Sequence, residues 1–352
     1  MRIFVINPGS TSTKIAVYDG TKPVWMTGAH HPIKEISSFK HVFEQYDYRK
    51  DFIMKRLKEA NIEMNFDAVI GRGGLLKPLC GGVYIVNEKM KEDLIHAQME
   101  HVCNLGGLLA LDIARQCGCK AYTADPVVVD ELQPEARFTG IPGIKRKSVF
   151  HALNSKAVSR RYANSIGKKY EELRLIVAHL GGGISIGAHR YGKVIDVNNA
   201  LDGEGPFSTE RAGTVPAGQL IDLCFSGIYD RKQIMKMIHG GGGLMAYLGT
   251  NDMITISREA EEGNEPYKSV LDAMLYTVAK QTGAMYVALD GKVDAIILTG
   301  GIAYSDYCVD VLRKRIDYLA PVVLMPGEDE LGALAYNAYG VLTGKLSLLE
   351  YK

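Results

Sequence analysis

Asn7-Pro8-Gly9-Ser10-Thr11-Ser12-Thr13-Lys14 gathers a glycine, a run of short hydroxyls and a cation within a few residues. In a tight turn, backbone N–H and O–H groups donate to a phosphate and the lysine adds charge. An ordinary β-hairpin with a polar tip fits the segment equally well. Arg72 is flanked by glycines (Gly71, Gly73, Gly74) at the end of an apolar run, 67 to 70. An arginine so placed can project its fork into a cleft and hold a carboxylate or phosphate bidentately. Gly181-Gly182-Gly183 leaves room for backbone to approach the phosphates of a nucleotide. Arg211, a second anion-binding candidate, lies in the stretch 198–216, which has too many turn residues for a regular element and is too long for an idle connector. Gly300-Gly301 closes another apolar run and permits close approach of backbone to a flat ligand such as an adenine ring.

Three acid or histidine positions are less distinctive. Asp125 follows a short strand pattern, at the usual outlet of an α/β sheet, yet an aspartate before proline is also a common turn starter. His151 stands near the start of an amphipathic helix, where a lone histidine reads more simply as a structural hydrogen-bonder. Glu328-Asp329-Glu330 caps a helix with negative charge, worth a few tenths to about 1 kcal/mol, and could equally hold a magnesium ion through water.

These groups need elements to position them. Residues 2–6 and 14–18 are apolar runs joined by the hydroxyl-rich turn, and 175–192 repeats the design around the glycine turn. Adding 172 to Gly9, Ala16 and Gly20 gives Gly181, Ala188 and Gly192, a register without a gap, so the chain reads as two similar halves. Two such turns facing each other across a cleft would clamp a phosphate. Residues 22–28 supply a third strand, and 67–70, 120–123, 294–299 and 321–325 read as further strands. Helical spacing marks 40–60, 87–97, 105–116, 151–162, 219–225, 231–239, 252–261, 266–289 and 331–342, with Gly240 to Gly243 as a flexible break. The expected class is α/β.

At 352 residues, 47% hydrophobic and 23% charged, the chain suits a globular protein of two domains. A net charge of +1 gives no bulk signal for nucleic acid or an anionic membrane. Six scattered cysteines without a C-x-x-C pair suggest a reducing compartment, with no disulfide framework or zinc site. No basic leader and no apolar run of bilayer length is evident, so a cytoplasmic protein is expected.

Taken together, V-I-N-P-G-S-T-S-T-K-I at the start, G-R-G-G at 71–74, T-A-D-P at 123–126, F-H-A-L-N at 150–154, H-L-G-G-G-I-S at 179–185, L-T-G-G-I-A at 298–303 and G-E-D-E-L at 327–331 make the chain resemble the acetate kinase family, within the actin, sugar kinase and Hsp70 superfamily. The resemblance spans nearly the whole chain. It implies two duplicated ribonuclease-H-like domains with an inter-domain cleft, 1–165 completed by a C-terminal helix at 335–352, and a nucleotide-binding domain at 166–334. It implies that Asn7, Ser10, Ser12 and Lys14 line the phosphate path, and that His179, Gly181, Gly182, Gly183, Gly300 and Gly301 bind ATP or ADP. Arg72 and Arg211 would grip the transferring phosphoryl group and the acid, Asp125 and His151 would be active-site residues, and Asn7 and Glu330 would serve Mg²⁺, with Glu328 a close competitor. One departure stands out: the relatives' loop typically reads H-L-G-N-G, and Gly182 replaces the asparagine.

The implied activity is reversible, ATP-dependent phosphorylation of a short-chain fatty acid, butyrate or a branched acid such as isobutyrate, to an acyl phosphate. An acetate or propionate kinase is the nearest alternative, and a nucleotide-driven binding ATPase or an actin-like structural subunit are alternatives of another class. No nucleic acid or membrane partner is implied, and a homo-oligomer is carried over from the relatives. A fatty acid at neutral pH is already a carboxylate and can attack a γ-phosphate without a general base. Asp125 is therefore expected to orient Mg²⁺-bound water or an arginine.

Overall fold

The computed structural model describes residues 1–97 and 100–352. In chain order the elements are β1 (Arg2–Gly9), β2 (Ser12–Asp19), β3 (Lys22–His30), α1 (Ile33–Ile36), α2 (Gln45–Glu59), β4 (Ala68–Arg72), β5 (Val83–Ile85), α3 (Glu88–Ile95), α4 (Asn104–Cys117), β6 (Lys120–Ala124), α5 (Ala152–Ser165), β7 (Arg174–Leu180), β8 (Ile184–Arg190), β9 (Lys193–Val197), α6 (Ala217–Cys224), α7 (Arg231–Ile238), α8 (Gly243–Leu248), α9 (Met253–Glu261), α10 (Glu265–Ala288), β10 (Ala295–Gly300), α11 (Asp306–Ile316), β11 (Val322–Pro326), α12 (Glu330–Leu342) and β12 (Leu348–Glu350). They form two compact units, Met1–Val129 with Asp329–Lys352, and Asp130–Glu328.

The first unit is built on a sheet of order β12-β5-β6-β4-β1-β2-β3, the second on β11-β10-β7-β8-β9. Within each sheet five strands follow one plan. β1 pairs antiparallel with β2 and β2 with β3, while β1 is parallel to β4 and β4 to β6. In the second unit β7, β8, β9, β10 and β11 repeat those pairings in the same senses. The central strands are fully buried, at Ile3–Ile6, Leu175–Ala178 and Ala295–Leu298, as expected for strands covered by helices on both faces. In the first unit α2, α3 and α4 pack Ile53, Leu57, Met90, Leu94, Leu109 and Ile113 onto the sheet. In the second, α9, α10 and α11 cover one face and α5 the other. α10 buries Leu271, Met274, Leu275, Val278, Thr282 and Met285 along one stripe, the spacing of an amphipathic helix.

The duplication is real but not gapless. Asp67 accepts from the Arg2 N–H and returns its own N–H to the Arg2 carbonyl, and Asp294 does the same with Arg174. That match sets the offset at 172 on β1 and β7. On the next strands it is 171: the Gly20 N–H donates to Met1 O and the Tyr191 N–H to Leu173 O, and the irregularity between Val17 and Tyr18 recurs between Ala188 and His189. Between the matched pairs Pro8↔Thr13 and Leu180↔Ile184 lie four residues in the first hairpin and three in the second, and the missing residue accounts for the slip. Gly20 is thus matched by Tyr191, both with positive φ, rather than by Gly192.

Two other expectations change. Helix 152–165 packs on β7 and β10, so residues 130–165 go with the second unit instead of closing the first. The run Gly240–Gly243 is a tightly bonded turn, not a loose break: Gly240 and Gly242 donate to Glu210 O, and a Cβ on Gly243 would lie 2.0 Å from Ser208 O.

β4 and α4 cross at a pair of glycines. A Cβ on Gly71 would lie 2.0 Å from Gly106 O, and one on Gly106 would lie 2.3 Å from Arg72 O. Gly106→Ala must push this crossing apart and should destabilise the protein by roughly 1–3 kcal/mol. Gly283, in the interior of α10 with no atom within 4 Å of its virtual Cβ, predicts the opposite sign. Gly283→Ala should stabilise by about 0.5–1 kcal/mol. Urea midpoints of the two variants check both directions.

Candidate functional site

In the first unit, Asn7 sits near the end of β1, Arg72 ends β4 and Glu330 opens α12. Sheet register carries the first two to neighbouring strand ends, and the chain returns from residue 328 to supply the third. Asn7 Nδ2 donates to Glu330 Oε2 at 2.7 Å, and Arg72 Nη1 donates to the same oxygen at 3.0 Å. The two side chains of the ion pair are 22% and 15% exposed, so charge is screened incompletely and the pair remains reachable. The helix cap is Asp329, which accepts from Gly332 N at 2.9 Å. Glu330 is therefore free of capping duty, and Glu328 lies in the second unit, 3.0 Å from His179 Nε2.

The hairpin turn presents Ser10 and Lys14 to solvent, with Ser12 half-buried. Lys14 is the cross-strand partner of Asn7 on one side and Gly28 on the other, which puts the three on one face of the sheet. Asp125 follows Ala124, the register partner of Arg72. It is buried with φ +39°, accepts from Gly82 N at 2.8 Å through Oδ1 and donates its own N–H to Gly82 O. A non-glycine residue in the left-handed region is uncommon, and aspartate is among the side chains that tolerate it.

In the second unit, His179 is the penultimate residue of β7 and His151 precedes α5. Their rings stack face to face, centroids 3.8 Å apart and 8° from parallel. The Asn154 amide donates to His179 Nδ1 at 3.0 Å and to Thr299 Oγ1 at 3.2 Å, and Thr299 donates to Gly327 O. Asn154 thereby fixes the proton on Nε2, the nitrogen facing Glu328. Nε2 is 3.0 Å from the Glu328 carboxylate but is not aligned for a hydrogen bond. His151 Nδ1 lies 3.0 Å from Ser185 Oγ.

The glycine turn is packed from beneath. A Cβ on Gly183 would sit 2.1 Å from Arg211 Nη1, whereas one on Gly182 would meet only Glu210 Oε1 at 3.7 Å. Gly183 thus makes room for Arg211, whose guanidinium donates to Ala200 O and whose proton affinity is lowered by burial. Ser208 Oγ donates to Gly182 O at 2.6 Å. Gly300, with φ +89°, would put a Cβ 2.3 Å from Leu180 O, a demand of the fold itself, while Gly301 has open space around it.

The structure thus brings Asn7, Arg72 and Glu330 together in one unit, and His151, His179, Gly181, Gly183 and Arg211 in the other. Asn154, which bonds His179, Ser208, which bonds Gly182, and Arg49, which bonds the Ser10 and Ser12 carbonyls, were not singled out from the sequence. Arg49 had a signal: Gln45, Arg49, Ile53 and Leu57 form the buried stripe of α2 at intervals of four, so a cation occupies an apolar helix face.

The structure matches that of an acetate kinase from Porphyromonas gingivalis with a TM-score of 0.77 at 20% identity, covering 97% of this chain and 99% of that one. A propionate kinase from Francisella tularensis matches at 0.75 and 19%, covering 96% and 98%. Residues 138–322 match the acetokinase family model. A "probable butyrate kinase" of Phocaeicola vulgatus is 70% identical over 352 residues, covering 100% of this chain and 99% of the relative, and "butyrate kinase 2" of Clostridium acetobutylicum is 52% identical over 353 residues with the same coverages. The chain belongs to the acetokinase family.

Replacing Glu330 by alanine leaves the Asn7 amide and the Arg72 guanidinium without their shared acceptor. The expected cost is about 1–3 kcal/mol in unfolding free energy. Glu330→Gln keeps an oxygen for Asn7 and should lose less. Equal urea midpoints for wild type and Glu330→Ala would show that the trio contributes nothing.

Proposed function

We propose that the protein transfers the γ-phosphoryl group of ATP to the carboxylate of butyrate, reversibly, with isobutyrate and similar branched acids as further substrates. The observation that carries this reading is full-length identity of 70%, 54%, 52% and 50% to four relatives whose names are butyrate kinase or probable butyrate kinase. The propionate kinase likeness is one of fold alone, and a missing or added methylene changes binding by only about 1–3 kcal/mol, so shorter acids should react more slowly rather than not at all.

The chemistry needs no base. A carboxylate oxygen donates its electron pair to the γ-phosphorus, the bond from that phosphorus to the bridging oxygen breaks, and the pair leaves with ADP. The barrier is the approach of two anions, so catalysis consists of positioning and of cancelling charge. Arg72 and Arg211 are proposed to neutralise the phosphoryl group and the acid. Ser10, Ser12, Lys14 and the glycines 181–183 are proposed to hold the phosphates, with His151 and His179 beside them and Gly300-Gly301 at the adenine. Support comes from a half-buried guanidinium in each unit and from two hairpin turns with exposed tips.

Mg²⁺ would neutralise triphosphate charge. Asn7 and Glu330 fit a supporting role, since Glu330 Oε2 is already shared by two donors and no cluster of three or more metal-ligating side chains occurs among the described residues. Magnesium commonly uses one or two carboxylates with phosphate oxygens and water. The two compact units are proposed as the two ribonuclease-H-like domains. A cytoplasmic location is supported by six free cysteines. A homo-oligomer is supported by Ile221, Phe225 and Ile228, exposed at 56%, 86% and 71% on and after α6. Among the described residues no helix is long and apolar enough to cross a membrane.

Trapping of acyl phosphate with hydroxylamine, using Mg-ATP and acetate, propionate, butyrate or isobutyrate in turn, tests the function. Hydroxamate should form fastest with the four-carbon acids, and ATP hydrolysis without hydroxamate from any acid would refute the proposal. Arg72→Ala and Arg211→Ala should each lose about 10²- to 10³-fold in turnover. Asp125→Asn preserves an oxygen for Gly82 N and tolerates the positive φ, so it isolates the charge. Wild-type turnover with wild-type magnesium dependence would remove Asp125 from the site.

A further inference from the structure

Arg49 is completely buried beneath the first hairpin turn, on the inner face of α2. All five of its N–H donors are occupied. Nη1 donates to Ser12 O at 2.7 Å and Thr13 Oγ1 at 2.8 Å, Nη2 to Ser10 O at 3.2 Å and Gln45 Oε1 at 2.9 Å, and Nε to Gln45 Oε1 at 3.1 Å. Every acceptor is neutral, and among the described residues no carboxylate pairs with Arg49. Burial lowers its pKa to about 10, so it remains a cation at neutral pH. Thr13 accepts from Arg49, which can only donate, and its hydroxyl is also hydrogen-bonded to His31 Nε2 at 2.7 Å. Burial and the nearby Arg49 charge lower the His31 pKa, keeping this imidazole neutral.

A buried cation without a counter-ion is expensive, and a merely structural arginine would ordinarily be paired. Here the bonds select a direction for the backbone. In a trans peptide the C=O and the following N–H point opposite ways. With the Ser10 carbonyl drawn down onto Arg49, the Thr11 N–H of the same peptide points away from it, while the Thr13 N–H belongs to the ladder of β2 with β3. Ser10 and Thr11 are exposed at the tip. The tip therefore offers the Thr11 N–H and the Ser10 and Thr11 hydroxyls above an uncompensated positive charge.

We propose that Arg49 is a positioning residue for the polyphosphate of the nucleotide: it orients the Ser10–Ser12 turn through the Ser10 and Ser12 carbonyls, and the bound triphosphate supplies its missing counter-charge. This rests on the kinase reading above, and Arg49 itself touches no substrate. Ser208 serves the second turn in the same way by drawing back the Gly182 carbonyl, which turns the N–H of the Gly182–Gly183 peptide to the opposite side.

The test is titration calorimetry of Mg-ATP with full-length wild type, Arg49→Met and Arg49→Lys, alongside steady-state hydroxamate kinetics and thermal melting of each. Arg49→Met should bind Mg-ATP at least about tenfold more weakly and lose on the order of 10²-fold in kcat/KM for ATP, with KM for butyrate within about twofold of wild type. Arg49→Lys, which keeps the charge and three donors, should recover part of both losses. Should Arg49→Met fail to fold, the lysine variant decides, with an expected loss of a few fold to about tenfold in ATP affinity. A folded variant of either kind with wild-type ATP affinity and kcat/KM, even if it melts earlier, would make Arg49 structural only and overturn the proposal. Absence of hydroxamate from wild type would instead refute the kinase reading, while calorimetry would still report the effect of Arg49 on ATP binding.

Discussion

The direction of a few peptide planes is the constraint on which the functional parts depend. A hairpin tip can offer carbonyls or amides outward, and only amides suit a phosphate. In the first unit Arg49 fixes that choice by taking the Ser10 and Ser12 carbonyls, and in the second Ser208 takes the Gly182 carbonyl. Everything beneath the turns serves to hold these side chains in place. The stripe of α2 seats Arg49, and the loop around Ser208 is bonded by Gly240 and Gly242 at Glu210 O and by Leu244 and Met245 of α8 at Ser208 O and Thr209 O.

The two units solve one problem with different residues. Both begin with a strand whose first residue exchanges two hydrogen bonds with an aspartate at the start of the parallel neighbour, Arg2 with Asp67 and Arg174 with Asp294. Both deliver a polar side chain near the end of that strand, Asn7 in one and His179 in the other. They diverge at the turn. A two-residue turn with hydroxyls can donate through side chains, whereas three glycines donate only through backbone but let Arg211 pack closely beneath Gly183.

Much of this was legible in the chain. Apolar runs ending in glycine gave β4, β7 and β10, because a strand buried on both faces has few other ways to be written. Long amphipathic helices such as α10 were equally plain. Short elements were not: β5, β9 and β12 are too brief to establish a period, and β5 and β12 depend on partners far away in sequence. The gapless offset of 172 misled because chance matches at Ala188 and Gly192 hid a one-residue slip that appears only in strand register. The trio of Asn7, Arg72 and Glu330 draws on three elements, with 323 residues between the first and last. No local spacing could reveal it. Arg49 was readable in principle as a charge on an apolar stripe, yet its bonds to neutral carbonyls carry no sequence signature.

The central chemical claim is that the carboxylate itself is the nucleophile, made effective by cancellation of charge and not by proton transfer. Burial of arginine near each turn favours anion binding, and membership of the acetokinase family agrees with a carboxylate acceptor. The most direct measurement follows oxygen from butyrate labelled with oxygen-18 in both carboxyl positions. The acyl phosphate formed with ATP is cleaved by hydroxylamine at the acyl carbon, and the released phosphate is weighed by mass spectrometry. Direct attack predicts one heavy oxygen in each phosphate, the former bridge between acyl carbon and phosphorus. Unlabelled phosphate would contradict the account, because the new bond would then not have been made by the carboxylate oxygen.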